Sequence, residues 1–162
     1  MYLINKQFRT SDNSIINYYE TDNHKPILLI IHAQGTSAVS YSKIAKDLAK
    51  NFHLILVDCY GHGKSSHNKE KYNLVTQGND LIEFIQAITN SNISVLGHSS
   101  GGLIACYIAS NSNFCSNLIL EDPPLFSSNA NRRFNTFNFK DLSTVCHNYI
   151  NQKEEKDFVY YY

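Results

Sequence analysis

One stretch, residues 92–105 (NISVLGHSSGGLIA), constrains the fold of this chain more than any other. A short apolar strand and an apolar helix flank a Gly-x-Ser-x-Gly turn at residues 97–101. A turn this tight forces Ser99 at its centre into a strained backbone conformation. Strand and helix backbones nearly touch beside it, so Gly97 and Gly101 must lack side chains. The pattern predicts a nucleophile elbow with the Ser99 hydroxyl exposed above a sheet.

The motif alone is weak evidence, because average residue usage produces it in roughly one chain in twenty of this size. Its context is more informative: the strand must end at Gly97 and the helix must begin within two residues. Both signals are present in the sequence. We therefore interpret Ser99 as a nucleophile and not as an ordinary turn residue.

Several segments read as β-strands. Two segments near the N-terminus, about residues 2–8 and 15–20, flank a polar turn and predict an antiparallel hairpin. Continuous aliphatic runs at residues 27–31 and 54–57 predict strands that are buried on both faces. Strands of that kind occur in parallel sheets that are covered by helices on each side.

Amphipathic helices separate these strands. Apolar residues recur at helical spacing in two segments, namely Tyr41, Ile44, Ala45 and Leu48, then Leu81, Ile82, Ile85 and Ile88. In the second helix we expect Asp80 and Glu83 to face outward. Alternating strands and helices predict parallel pairing with right-handed crossovers, hence a three-layer α/β sandwich with a mostly parallel sheet. In such sheets the site lies at the carboxyl ends of the strands.

Three more stretches, in order along the chain with the elbow, resemble the α/β-hydrolase family. Residues 27–35 (ILLIIHAQG) resemble its third strand and His-Gly-x-Gly oxyanion loop, with Ala33 in place of the first glycine. Residues 58–65 (DCYGHGKS) resemble its Asp-x-x-Gly-x-Gly-x-Ser turn, and residues 118–124 (LILEDPP) its sixth strand and Asp-Pro exit. The resemblance implies an incomplete hydrolase core at residues 1–125, without the C-terminal strands, and the start of a cap-like helical segment at residues 126–162.

The resemblance also implies roles for individual residues. Ser99 would be the nucleophile, and the backbone N–H groups of Gln34 and Ser100 would form the oxyanion hole. Asp122 is either the triad acid, which some relatives place after the sixth strand, or a turn residue. His32 would brace the oxyanion loop.

The remaining histidines leave the general base open. In the family the catalytic histidine follows an eighth strand, and none of the seven histidines matches that position. His147 is a remote candidate. His98 would pack beside the nucleophile, and Asp58 and His62 would be structural parts of their turn.

These observations predict a serine hydrolase that acts on a small ester or related acyl compound and needs no metal or organic cofactor. Without a base, the 162-residue chain would be inactive or impaired. The alternative is a degenerate hydrolase fragment that serves as a non-catalytic binding module or has no function. Nucleotide binding through residues 63–65 (GKS) is disfavoured, because Asp58 stands where a phosphate loop has its first glycine.

Composition narrows the partners. The net charge is zero, which disfavours nucleic acid and acidic membrane surfaces, and a small-molecule substrate is the expected partner. No signal peptide or membrane-spanning segment is visible, so we expect a cytoplasmic protein. The four cysteines show no metal-binding spacing and are expected to be reduced. Self-association is expected through an uncovered edge at the sixth strand.

Overall fold

The computed structural model describes residues 2–125, so the predicted cap-like segment at residues 126–162, with His147 and Cys146, lies outside the described residues. Six strands and three helices follow in the order β1 (Leu3–Arg9), β2 (Ile15–Thr21), β3 (Ile27–Ile31), α1 (Ser42–Leu48), β4 (His53–Val57), α2 (Leu74–Ile88), β5 (Ile93–His98), α3 (Ser100–Asn111) and β6 (Cys115–Glu121). Short 3-10 turns precede α1 (Ala38–Tyr41) and α2 (Lys69–Lys71).

The strands form one mixed sheet in the order β1-β2-β4-β3-β5-β6. β1 and β2 pair as an antiparallel hairpin, and β2 is also antiparallel to β4. β3 is parallel to both β4 and β5, and β5 is parallel to β6. The predicted hairpin and the mostly parallel α/β sheet are therefore confirmed.

Alternate residues of the central strands feed two separate cores, since successive side chains point to opposite faces of a sheet. Leu29 and Ile31 of β3 belong to a cluster that includes Phe84 of α2 and Ile108 of α3. On the opposite face, residues of β3 and β4 pack with the first 3-10 turn and α1. The sheet is thus covered on both faces, and the three-layer arrangement is confirmed.

Three details of the predicted helices are wrong, and one of them is Ile88 of α2, which was placed on the apolar face but is 37% exposed. Ile44 in α1 is 49% exposed, and Ala49 takes its place on the buried face. Because a 3-10 turn precedes α1, the spacing of the buried residues shifts by part of a turn. Asp80 does not face outward: its carboxylate accepts a hydrogen bond from the Tyr60 hydroxyl (2.8 Å) and pairs with Lys71 (2.6 Å).

The register of the parallel strands places the predicted motifs together. Ile31, the last residue of β3, lies opposite Val57 on one side and Gly97 on the other. Leu120 of β6 lies opposite Gly97 as well. The loops after all four strands therefore leave from the same edge of the sheet.

Candidate active site

Ser99 lies on the sharp turn between β5 and α3, as predicted. Its backbone has φ 50° and ψ −117°, a left-handed conformation that is strained for a residue with a side chain. Two backbone hydrogen bonds hold it there: the Ser99 N–H donates to the Glu121 carbonyl (2.8 Å), and the Gly102 N–H donates to the Ser99 carbonyl (2.9 Å). The fold therefore supplies the constraint that keeps Ser99 in this conformation.

The flanking glycines are needed because backbone crowds them. A Cβ on Gly97 would lie 2.6 Å from the Cα of Gly102. A Cβ on Gly101 would lie 2.5 Å from the His32 carbonyl oxygen and 2.8 Å from the Ile31 carbonyl carbon. Backbone atoms cannot swing aside as a flexible side chain can. The start of α3 is therefore held against the end of β3, where the predicted oxyanion loop begins.

His32 braces that loop, as the resemblance implied. Its Nε2 accepts a hydrogen bond from the Cys59 N–H (2.9 Å), so the ring proton sits on Nδ1, which lies 2.7 Å from the Ala33 carbonyl oxygen. Burial lowers the pKa of His32, which favours this neutral form. The Thr36 hydroxyl donates to the same carbonyl (2.8 Å). With Ala33 in place of the family's glycine, the loop still closes through the contacts of His32 and Thr36 with the Ala33 carbonyl.

Two consecutive N–H groups of the loop are bound by side chains from other elements. The Gln34 N–H donates to Ser100 Oγ at 2.7 Å, and the Gly35 N–H donates to His62 Nε2 at 3.1 Å. His62 Nδ1 lies 3.1 Å from the Tyr60 carbonyl oxygen, so both ring nitrogens of His62 have a backbone partner. The loop is thereby tied both to the start of α3 and to the turn after β4.

Asp58 organises the turn after β4 from a buried position, with 2% of its surface exposed. Its carboxylate accepts hydrogen bonds from the Asn17 side-chain amide (2.8 Å), the Ala38 N–H (2.8 Å) and the Lys64 N–H (3.1 Å). These donors belong to β2, to the segment after the oxyanion loop and to the turn itself. Asp58 is therefore structural, as the resemblance implied, and it makes no contact that suits a phosphate.

Asp122 follows β6 at the same edge of the sheet. It is exposed, and its φ of 46° lies in the left-handed region that is unusual for a residue with a side chain. Within residues 2–125, neither Asp122 nor His98 forms a side-chain hydrogen bond. The described part of the chain thus brings Ser99, Ser100 and the Gln34 loop together but does not join Asp122 to a histidine.

Three other properties concern the described residues alone. Residues 2–125 contain no group of three or more His, Cys, Asp or Glu side chains that could hold a metal ion. None of their helices combines the length and the apolar character needed to cross a bilayer. Cys59, Cys106 and Cys115 are free thiols.

Comparison with known proteins gives the family. A family model described as "alpha/beta hydrolase fold" matches residues 26–146, which is most of the chain. The chain belongs to the α/β-hydrolase fold family. The match begins just before β3 and includes the oxyanion loop, the Asp58 turn and the elbow.

Individual α/β hydrolases resemble the chain over part of their length. The human serine hydrolase-like protein is 29% identical over 118 residues, which are 71% of this chain and 58% of that protein. The structure of a bacterial membrane phospholipase A has a TM-score of 0.70 at 29% identity, covering 75% of this chain and 40% of that one. A deformylase from Pseudomonas putida has a TM-score of 0.68 at 30% identity, covering 75% and 47%. The chain therefore spans less than two thirds of each of these relatives.

Two side chains at this site were not given a functional role by the sequence. The resemblance implies a role only for the backbone N–H of Ser100, but its hydroxyl accepts a hydrogen bond from the Gln34 N–H. The resemblance makes His62 a structural part of its turn, but its Nε2 accepts a hydrogen bond from the Gly35 N–H. A polar side chain directly after the nucleophile, and a histidine between the glycines of the second turn, are the signals that could have found them. Neither signal shows by itself which loop the side chain reaches.

Proposed function

We propose that the protein is a serine hydrolase in which Ser99 attacks a small, largely uncharged ester or related acyl compound. The observation that carries the proposal is the strained elbow with the oxyanion loop bonded directly to the residue after the nucleophile. A strained serine has no structural advantage over glycine at such a turn. Its presence there supports a chemical role.

The proposed reaction has two steps. Ser99 Oγ attacks the carbonyl carbon and passes its proton to a general base, while the carbonyl oxygen becomes an oxyanion held at Gln34 and Ser100. The tetrahedral species expels the alcohol, which takes the proton back from the base, and leaves an acyl group on Ser99. Water then releases the acid and restores the serine. None of these steps calls for a metal or an organic cofactor.

The base and the acid are the open parts of this mechanism. Within residues 2–125, no histidine is hydrogen-bonded to Ser99. We propose that the base is a histidine outside the described residues, with Asp122 as a candidate acid. Asp122 follows β6, whose last residue, Glu121, receives the hydrogen bond from the Ser99 N–H. This neighbourhood supports Asp122 without establishing a contact to a base.

The names of the relatives support an acyl substrate, since one is described as a phospholipase A and another as a deformylase. The expected partner is therefore a small molecule.

The decisive experiment compares two serine variants in the protein expressed from its complete reading frame. Ser99→Ala should lower turnover of a short-chain p-nitrophenyl ester by about a thousandfold or more, since the nucleophile is lost. Ser110→Ala makes the same chemical change at an exposed position of α3 and should leave turnover unchanged. Undiminished hydrolysis by the Ser99 variant would reject the proposal. Loss of activity after chelation would reject the metal-free mechanism.

A second candidate function follows because residues 2–125 bring no histidine into hydrogen-bonding contact with Ser99. If residues 1–162 are made alone, we propose that they show little or no triad-type catalysis and act at most as a binding module. Ser99 keeps its proton at neutral pH unless a base removes it, and losing a triad member lowers the rate by several orders of magnitude. Ordinary, Ser99-dependent turnover by this chain would contradict the proposal and would direct attention to Asp122 and His147.

We also propose that this chain associates with itself through β6. Among the described strands β6 pairs only with β5, and Leu118 and Ile119 are 38% and 44% exposed. An unpaired, aliphatic edge can accept a strand from a second copy. Light scattering should show dimers or larger species that Ile119→Lys reduces. Ile44→Lys, at a similarly exposed isoleucine in α1, is the control, and an equal effect of both changes would refute the edge model.

A further inference from the structure

The Gln34 N–H is already engaged in this structure. It donates to Ser100 Oγ at 2.7 Å, a short and favourable distance for such a bond. One N–H group makes one strong hydrogen bond, so it is not aimed at a substrate oxygen while this bond exists. Of the two backbone donors implied for the oxyanion hole, only the Ser100 N–H has no acceptor within residues 2–125.

The Ser100 hydroxyl has an unused donor. A serine hydroxyl can accept hydrogen bonds at its oxygen and donate one through its proton. The oxygen accepts from Gln34, and the proton has no acceptor among the described residues. Accepting a hydrogen bond polarises a hydroxyl and strengthens the bond that it donates. Ser100 directly follows Ser99, the proposed nucleophile, and its hydroxyl lies 2.7 Å from the Gln34 nitrogen, whose N–H the resemblance assigns to the oxyanion hole.

We propose, resting on the hydrolase function above, that the Ser100 hydroxyl is a catalytic group that donates a hydrogen bond to the oxyanion. Gln34 acts through it: the Gln34 N–H donates to Ser100 Oγ, and Ser100 Oγ–H donates to the substrate oxygen. No proton is transferred and no covalent bond to Ser100 forms. The second donor of the oxyanion hole is then a side chain, held in place by the backbone group that the resemblance assigned to that task.

A competing arrangement makes the opposite prediction. In this arrangement the substrate oxygen would displace the Ser100 hydroxyl and accept a hydrogen bond directly from the Gln34 N–H. Ser100 Oγ would then only occupy the oxyanion hole while no substrate is bound. Removing it would then leave turnover unchanged or increase it. The proposed relay, in which Gln34 N–H donates to Ser100 Oγ and Ser100 Oγ–H donates to the substrate oxygen, requires the Ser100 hydroxyl. This hydroxyl contributes a donor that is needed only when charge develops on the substrate oxygen.

The test uses Ser100→Ala and Ser100→Thr in the protein expressed from its complete reading frame. Loss of one oxyanion donor lowers kcat by about a hundredfold or more in serine hydrolases. We expect a fall in kcat of at least about tenfold for Ser100→Ala, since the freed Gln34 N–H can partly substitute, with KM changed by less than about twofold. Ser100→Thr keeps a hydroxyl and should restore most of kcat.

Each outcome decides the question. An unchanged melting curve would show that the Ser100→Ala variant folds. If that folded variant hydrolyses the ester as fast as the parent protein or faster, the relay is refuted. Equal losses in the Ala and Thr variants also overturn it, because they would reflect packing. If the Ala variant does not fold, Ser100→Cys tests the same donor with a weaker S–H group. Turnover that survives Ser99→Ala would instead reject the hydrolase function itself, and this inference with it.

Discussion

Replacing Asp58 by asparagine tests how the site is held together. One carboxylate oxygen accepts from the Ala38 N–H, and the other accepts from the Asn17 amide and the Lys64 N–H. Asparagine keeps a single acceptor oxygen, so its NH₂ group must face at least one of these donors. The asparagine loses the fewest hydrogen bonds when its oxygen faces the Asn17 amide and the Lys64 N–H. In this orientation the Ala38 N–H has no acceptor.

The magnitude follows from these contacts. A hydrogen bond to a charged group contributes about 1.5–3 kcal/mol, and a buried donor left unsatisfied carries a penalty of about 1–3 kcal/mol. The two figures overlap because both describe the same lost bond. We therefore expect Asp58→Asn to lower the free energy of unfolding by about 1.5–3 kcal/mol. Ala38 begins the 3-10 turn that follows the oxyanion loop, so the loop should loosen as well.

Urea denaturation of parent and variant measures this change. Asp47→Asn is the matched control, because Asp47 is exposed in α1 and only pairs with Lys50 on the surface (2.7 Å). Surface pairs of this kind contribute about 0–1 kcal/mol. Similar losses in the two variants would show that the buried contacts of Asp58 do not stabilise the fold, and the reasoning would fail.

Three further predictions concern the core of the site. Gly101→Ala should destabilise the fold by about 1–3 kcal/mol through its clash with backbone, against a helix-propensity gain of up to about 1 kcal/mol, whereas Ser110→Ala should leave the melting temperature nearly unchanged. Because burial lowers the pKa of His32, the unfolded chain binds its proton first, so stability should fall as pH drops below about 6.5. His32→Asn should flatten that fall, and His24→Asn, at an exposed position, should not; equal slopes in urea titrations would contradict this. Burial raises the pKa of Cys59 to about 12, so iodoacetamide at about pH 8 should modify it only after unfolding, as mass spectrometry would show.

The bounds of the central strands could be predicted closely, because a continuous aliphatic run in the sequence indicates a strand that is buried on both faces. β3 begins and ends where the aliphatic run does, at Ile27 and Ile31. The start of β6 is harder to predict from the sequence. The apolar run predicts only residues 118–121, whereas the strand begins at Cys115. Ser116 and Asn117, which follow Cys115, are polar and exposed, since a strand at the end of the described sheet order can hydrogen-bond to its neighbour without burying every side chain.

The elbow could also be predicted, because the requirement for glycine beside a strained serine is local to five residues. The contact between Gln34 and Ser100 spans 66 positions of the chain and depends on one side-chain rotamer. Asp80 likewise finds Lys71 and Tyr60 only through the packing of α2. Hydrophobic spacing predicts which face of a helix is buried, but it carries no information about polar partners brought in by other elements.

In the proposed mechanism, the described contacts position the oxyanion donors and do not include the group that would activate Ser99. Ile31 and Gly97 are paired on adjacent strands, and the lack of a side chain at Gly101 lets α3 approach the end of β3. These contacts set the position of the Gln34 loop relative to Ser100, and each of them lies within residues 2–125. A general base enters none of them. Losing the base would therefore remove proton transfer while leaving the oxyanion donors in place, which is why an impaired hydrolase and a binding module can share one geometry and must be distinguished by turnover.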